Sequence, residues 1–137
     1  MKYEIFEHTS DIGLQIYGSS FKELLENAGL ALFEQITDLS RVETLISIEV
    51  SAEGKSDEEL LMAWLRELLY LFHVEQYLLS KFDIYVLETG LLKASVKGEK
   101  MDISKHVMEG EVKGITYHNL ELTEINGKWQ ARIVLDV

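Results

Sequence analysis

Three stretches of the chain carry residue types and spacings able to do chemistry. The first is His8-Thr9-Ser10-Asp11, a polar interruption between two alternating, strand-like runs. An imidazole and a carboxylate three residues apart converge on one point if the loop curls, and together they suit a divalent cation of intermediate hardness. The same spacing also serves an Asx-type turn in which Thr9, Ser10 and Asp11 bond local backbone. Spacing alone leaves both open. The second is Asp136, which follows the strand-like run Ala131-Arg132-Ile133-Val134-Leu135 and shares a face with Val134 and Arg132 by period-2 alternation. A lone carboxylate there equally fits a solvated strand end.

The third is Glu111-Val112-Lys113-Gly114-Ile115-Thr116-Tyr117-His118. Lys113 and His118 have the chemistry of contact or proton-transfer groups, and Gly114 within a strand pattern suggests a bulge or a close backbone approach. Cross-strand surface residues of this kind are also common. His73, after an apolar helix, and His106, in an irregular segment, read as structural or exposed. No glycine-rich phosphate loop, nucleophile elbow or His-Glu-x-x-His helix is present.

Composition narrows the function classes. The 137 residues hold 24 acidic and 13 basic side chains, a net charge of −11, and no cluster of three basic residues. Affinity for nucleic acid comes largely from neutralising phosphates with Lys and Arg, so autonomous nucleic-acid binding is disfavoured. An acidic surface instead favours solubility, cations or a basic protein partner, and composition alone leaves these open. With no cysteine, disulfides, thiolate metal sites and cysteine nucleophiles are excluded. Acids within the first eight residues argue against a signal peptide, and no apolar run reaches membrane-spanning length, so a cytoplasmic protein is expected.

These residues need elements to position them. Residues 2–7 and 12–17 alternate as strands, and residues 21–36 carry helical spacing behind Ser20, with Glu23 completing a capping box. Residues 43–52 alternate as a strand, and Ser56 with Glu59 caps a second helix whose stripe includes Leu60, Leu61, Trp64, Leu65, Leu68, Leu69 and Phe72. Segments 82–88, 91–97, 111–125 and 128–136 read as β, broken by Thr89-Gly90 and the hairpin signal Asn126-Gly127, with 98–110 the least regular stretch. The expected fold is α+β: one domain over 1–137, with two helices packed on one mainly antiparallel sheet. Each half accommodates a strand-helix-strand-strand unit, although self-similarity is too weak to assert a repeat.

In order along the chain, His8-Thr9-Ser10-Asp11-Ile12-Gly13, Val112-Lys113-Gly114-Ile115-Thr116-Tyr117-His118 and Ile133-Val134-Leu135-Asp136-Val137 resemble the archease family. Trp64-Leu65-Arg66-Glu67-Leu68-Leu69-Tyr70 is similar to that family's central helix. Ser10 and Gly114 stand where the family usually has alanine. The resemblance implies a strand-helix-strand-strand (SHS2-like) module and an accessory protein of the GTP-dependent RNA ligase of tRNA splicing and RNA repair. Such proteins promote guanylylation and repeated turnover of the ligase, or act as chaperone-like modulators.

The resemblance further implies a metal site built from His8, Asp11 and Asp136 and no catalytic residue, while Lys113 and His118, as contact groups, are expected to bind the partner. Oxygen-rich coordination suits Ca²⁺ first, with Mg²⁺ or Mn²⁺ as alternatives. Such a site requires the first and last strands to be adjacent. Two rival classes are a small metal-dependent hydrolase using the same cluster and a chaperone-like interaction module without a metal.

Overall fold

The alternating stretches form seven strands around two α-helices in a computed structural model that describes residues 1–8 and 11–137, with Glu7, His8, His118 and Asn119 described by their backbone alone. The elements run β1 (Tyr3–His8), β2 (Asp11–Gly18), α1 (Phe21–Glu34), a 3-10 turn (Leu39–Arg41), β3 (Ile46–Glu53), α2 (Asp57–His73), β4 (Tyr77–Glu88), β5 (Leu91–Lys100), β6 (Gly114–Ile125) and β7 (Lys128–Asp136). The α+β class is as expected. The strands form two antiparallel sheets rather than one, with orders β1-β2-β7-β6 and β3-β5-β4.

Each sheet is one strand-helix-strand-strand unit. In β3-α2-β4-β5 the last strand lies between the other two, and β2-α1-β6-β7 repeats that order with β7 in the middle. The first unit is inserted between α1 and β6 of the second, and β1 adds an edge beside β2. The relationship survives locally as one pattern used twice: Gly18-x-Ser20-x-x-Glu23-Leu24 and Gly54-x-Ser56-x-x-Glu59-Leu60. Ser20 and Ser56 accept from the Glu23 and Glu59 N–H groups at 3.1 and 3.2 Å, while the two glutamates accept from the Ser19 and Lys55 N–H groups. A Cβ on Gly18 or Gly54 would lie 2.5 Å from the Leu24 or Leu60 nitrogen, so the strand-to-helix corner closes only on glycine.

Both helices touch strands of both sheets, α1 reaching β2 and β4 and α2 reaching β3 and β6. That requires more than one apolar stripe. Leu24, Leu25, Ala28, Ala31, Leu32 and Phe33 of α1 and Leu60, Leu61, Trp64, Leu65 and Leu68 of α2 are accordingly buried. The buried Trp64 indole donates to the Leu25 carbonyl at 2.8 Å, tying the helices together with its polar atom satisfied.

The element boundaries differ from the sequence reading where alternation fails. β4 begins at Tyr77, not 82, because register shifts between Leu79 and Lys81 and between Ile84 and Val86 interrupt its period. Gln76, at φ 61°, reverses the chain immediately before it. β6 begins at Gly114 rather than 111, and the stretch 98–110 is partly ordered, its first three residues completing β5. The rest is fastened to the residues just after α1: Thr37 donates to the Val107 carbonyl at 2.7 Å and the Glu109 N–H to that of Ile36 at 2.8 Å. Among the described residues no helix is long and apolar enough to cross a membrane.

Candidate functional site

β2 starts on Asp11 and β7 ends on Asp136, and their antiparallel register sets these two residues directly opposite each other. Cross-strand partners have Cα atoms about 4.5–5.5 Å apart. The last strand thus lies beside β2 and one strand removed from β1, a correction to the expectation that it would flank the first. The row continues both ways: Asp11 pairs with His8 of β1, and Asp136 pairs with Gly114 of β6. All four strands of the larger sheet therefore contribute to one line across its end.

The turn at Asn126-Gly127 sets the β6–β7 register as far as Glu121–Arg132, and a shift between Thr116 and Glu121 then brings Gly114 opposite Asp136. The φ values of Asn126 and Gly127, 54° and 80°, are the left-handed pair that a tight hairpin demands. At the far end of the hairpin the Lys113 N–H donates to the Asp136 carbonyl at 2.7 Å, pinning the backbone that carries the carboxylate. Lys113 itself is exposed, as is Asp136, while Asp11 is half-buried.

Two carboxylates facing each other across a ladder repel. Their oxygens form a donor set suited to a hard divalent cation, which would relieve that repulsion, so the described residues fit such an ion. Among the described residues no group of three or more His, Cys, Asp or Glu side chains converges to hold a metal. The side chains of His8 and His118 lie outside the described residues, as do Thr9 and Ser10 of the alternative Asx turn.

A sequence model of the Archease protein family (MTH1598/TM1083) matches residues 3–137. The chain belongs to the archease family. It is similar to the protein archease of Methanosarcina mazei, at 41% identity over 99% of this chain and 96% of that one. The protein archease of Pyrococcus furiosus is 36% identical over 99% of both chains. Among solved structures, protein 1598 of Methanobacterium thermoautotrophicum superposes with a TM-score of 0.82 at 36% identity, covering 99% of each chain. The archease of Thermotoga maritima shares the fold, with a TM-score of 0.68 at 23% identity over 98% of this chain and 96% of that one.

Within this archease the remaining candidates separate cleanly. Gly114 makes no close approach, for a Cβ there would meet nothing within 4 Å, and the irregularity in β6 lies further on, between Thr116 and Glu121. Alanine would fit here. The His73 Nε2 lies 2.7 Å from the Val112 carbonyl, joining the end of α2 to the segment that leads into Lys113. His106 is buried with Nδ1 accepting from the Asp102 N–H at 3.0 Å, so its proton sits on Nε2 and is donated to Glu99 at 3.2 Å. Both histidines are structural.

Two features escaped the sequence reading. One is Glu99. Burial pushes its carboxyl up, but hydrogen bonds from Lys105, the Glu43 N–H and His106 outweigh burial and bring it down to about 2. The other is the Arg132 guanidinium stacked on the Phe6 ring at 3.6 Å from the centroid. The available signal was parity, since Arg132 shares a strand face with Asp136.

Proposed function

We propose that this archease is a metal-dependent activator of an RNA ligase of the tRNA-splicing type, promoting its guanylylation and repeated turnover. The observation that carries the reading is the Asp11–Asp136 pair, in register at the exposed end of a sheet that all four strands complete. Family membership supplies the context. The Thermotoga maritima archease is described as a possible chaperone, and assistance to another protein is a role of the same kind.

In this reading Asp11, Asp136 and His8 hold the cation, with Ca²⁺ favoured over Mg²⁺ or Mn²⁺. When bound, the ion supplies electrostatic stabilisation for phosphate oxygens brought to the rim. The chain's own contribution is position. The β2–β7 ladder and the Lys113 N–H fix the two aspartate backbones, and the exposed Asp136 leaves the rim open to a docking partner. Lys113 and His118 contact the partner. The balance of 24 acids to 13 bases suits a basic protein surface better than RNA alone. The protein acts as an activator and forms no product itself.

The test is guanylylation of the cognate ligase with GTP, with and without this protein. Asp11→Ala and Asp136→Ala, each shown to be folded, are expected to lose the stimulation. Stimulation at the wild-type level by either variant would refute the metal rim. Phosphoester turnover with no ligase present would instead mark the protein as a hydrolase.

A further inference from the structure

The outer face of the larger sheet carries a second arrangement beside the aspartate pair. The next outward row below Asp11 and Asp136 is Phe6–Gly13–Val134–Thr116, and the one after it is Glu4–Gln15–Arg132–Glu121. The Phe6 ring lies across β2 in the space a side chain at position 13 would need. A Cβ on Gly13 would sit 2.1 Å from Phe6 Cε2. Val134, in the same row, is 1% exposed although it faces away from the main core. Arg132 leans back from its own row onto that ring, its guanidinium carbon 3.6 Å from the centroid.

The choice of partner is informative. Glu121 is directly opposite Arg132 in the ladder, and Glu4 lies in the same row with its carboxylate taking a hydrogen bond from Tyr17 at 3.1 Å. Among the described residues Arg132 nevertheless makes no ion pair. In a chain of net charge −11, a cation held on a ring rather than on a carboxylate is a hydrogen-bond donor prepared for an anion. A guanidinium over a ring face keeps its planar fork of N–H donors, the group suited to a bidentate contact with a phosphoryl oxygen pair.

We propose that Arg132, held on Phe6, binds a phosphoryl group of a phosphate ester or polyphosphate that the Asp11–Asp136 end engages through its cation. The proposal rests on the cation reading of that pair. Adjacent outward rows are two residues, about 6.6–6.8 Å, apart. One phosphoryl group spans that gap: a cation–oxygen contact takes about 2.0–2.6 Å, a guanidinium–oxygen contact about 2.7–2.9 Å, and the phosphate's own width fills the rest. Gly13 is thereby explained as the residue that lets Phe6 lie low enough to carry the guanidinium within reach.

The experiment is an amide-shift titration of the full chain with Mg²⁺ alone, with inorganic pyrophosphate alone, and with both. In the wild type, Mg²⁺ is expected to move Asp11 and Asp136, and pyrophosphate to move Phe6, Gly13, Arg132 and Val134 saturably. Arg132→Gln should keep the Mg²⁺ response and weaken pyrophosphate binding by about tenfold or more, and Arg132→Lys should recover little, because the planar fork is lost. The amide spectrum itself reports whether each variant is folded. Pyrophosphate binding by Arg132→Gln at wild-type strength overturns the proposal. So does a wild type that answers Mg²⁺ but not pyrophosphate. If neither Mg²⁺ nor Ca²⁺, each titrated alone, moves either aspartate, the cation reading falls and pyrophosphate alone decides: a saturable response that needs Arg132 supports the anion site, and silence overturns it.

Discussion

Glu99 stays ionised at 7% exposure because three donors enclose it: Lys105 at 2.8 Å, the Glu43 N–H at 2.6 Å and His106 at 3.2 Å. Those bonds outweigh the cost of burial and hold its carboxyl at about 2, against an ordinary 4.5. A carboxyl held lower in the folded than in the unfolded chain contributes stability that is present above the unfolded value and lost as pH falls through the folded one. For Glu99 that window runs from about pH 4.5 down to about pH 2. Glu99→Gln is expected to unfold at lower urea than the wild type at pH 7, with the gap closing through that window. Urea midpoints of both proteins across pH test this, and a pH-independent gap would contradict it. Nothing in Lys97-Gly98-Glu99-Lys100 distinguishes Glu99 from a solvated strand end, because its partners come from Glu43 and from a turn at Lys105 and His106.

At the scale of elements, what could be read was what neighbours in sequence decide. Both capping boxes, both helical stripes and the Asn126-Gly127 hairpin lie within a few residues, and each is present. Ser20→Ala and Ser56→Ala should each lose about 1 kcal/mol of stability, with the double variant close to additive because the caps serve separate helices. Chemical denaturation of the three variants measures this; no loss from Ser56→Ala would mean that packing alone holds the start of α2. Ladder choice was not legible. Alternation marks residues as strand but does not say which strand pairs with which, so two sheets of the same order read as one. The bulges of β4 hid residues 77–81 for the related reason that a slip of one residue exchanges the two faces.

At the scale of the molecule, inserting one strand-helix-strand-strand unit into another sets distant sequence side by side. Because β3 through β5 leave and return between α1 and β6, β7 closes against β2, and residues 125 positions apart in the chain become cross-strand partners. His8, Asp11 and Asp136 were legible as candidates, but their meeting depends on this topology, which no local pattern encodes. The arrangement sets two aspartate charges against each other at a sheet end, and its consequences have opposite signs with and without a cation. In chelator, Asp136→Asn should match or exceed the wild type by about 0.2–1 kcal/mol, since one like-charge pair is removed. With Ca²⁺ at 100 times its dissociation constant the wild type should gain about 2.7 kcal/mol, while Asp136→Asn gains little. Thermal melts of both proteins in chelator and across a Ca²⁺ series separate the terms. A general salt effect would raise both proteins equally, and that outcome would remove the cation from the site.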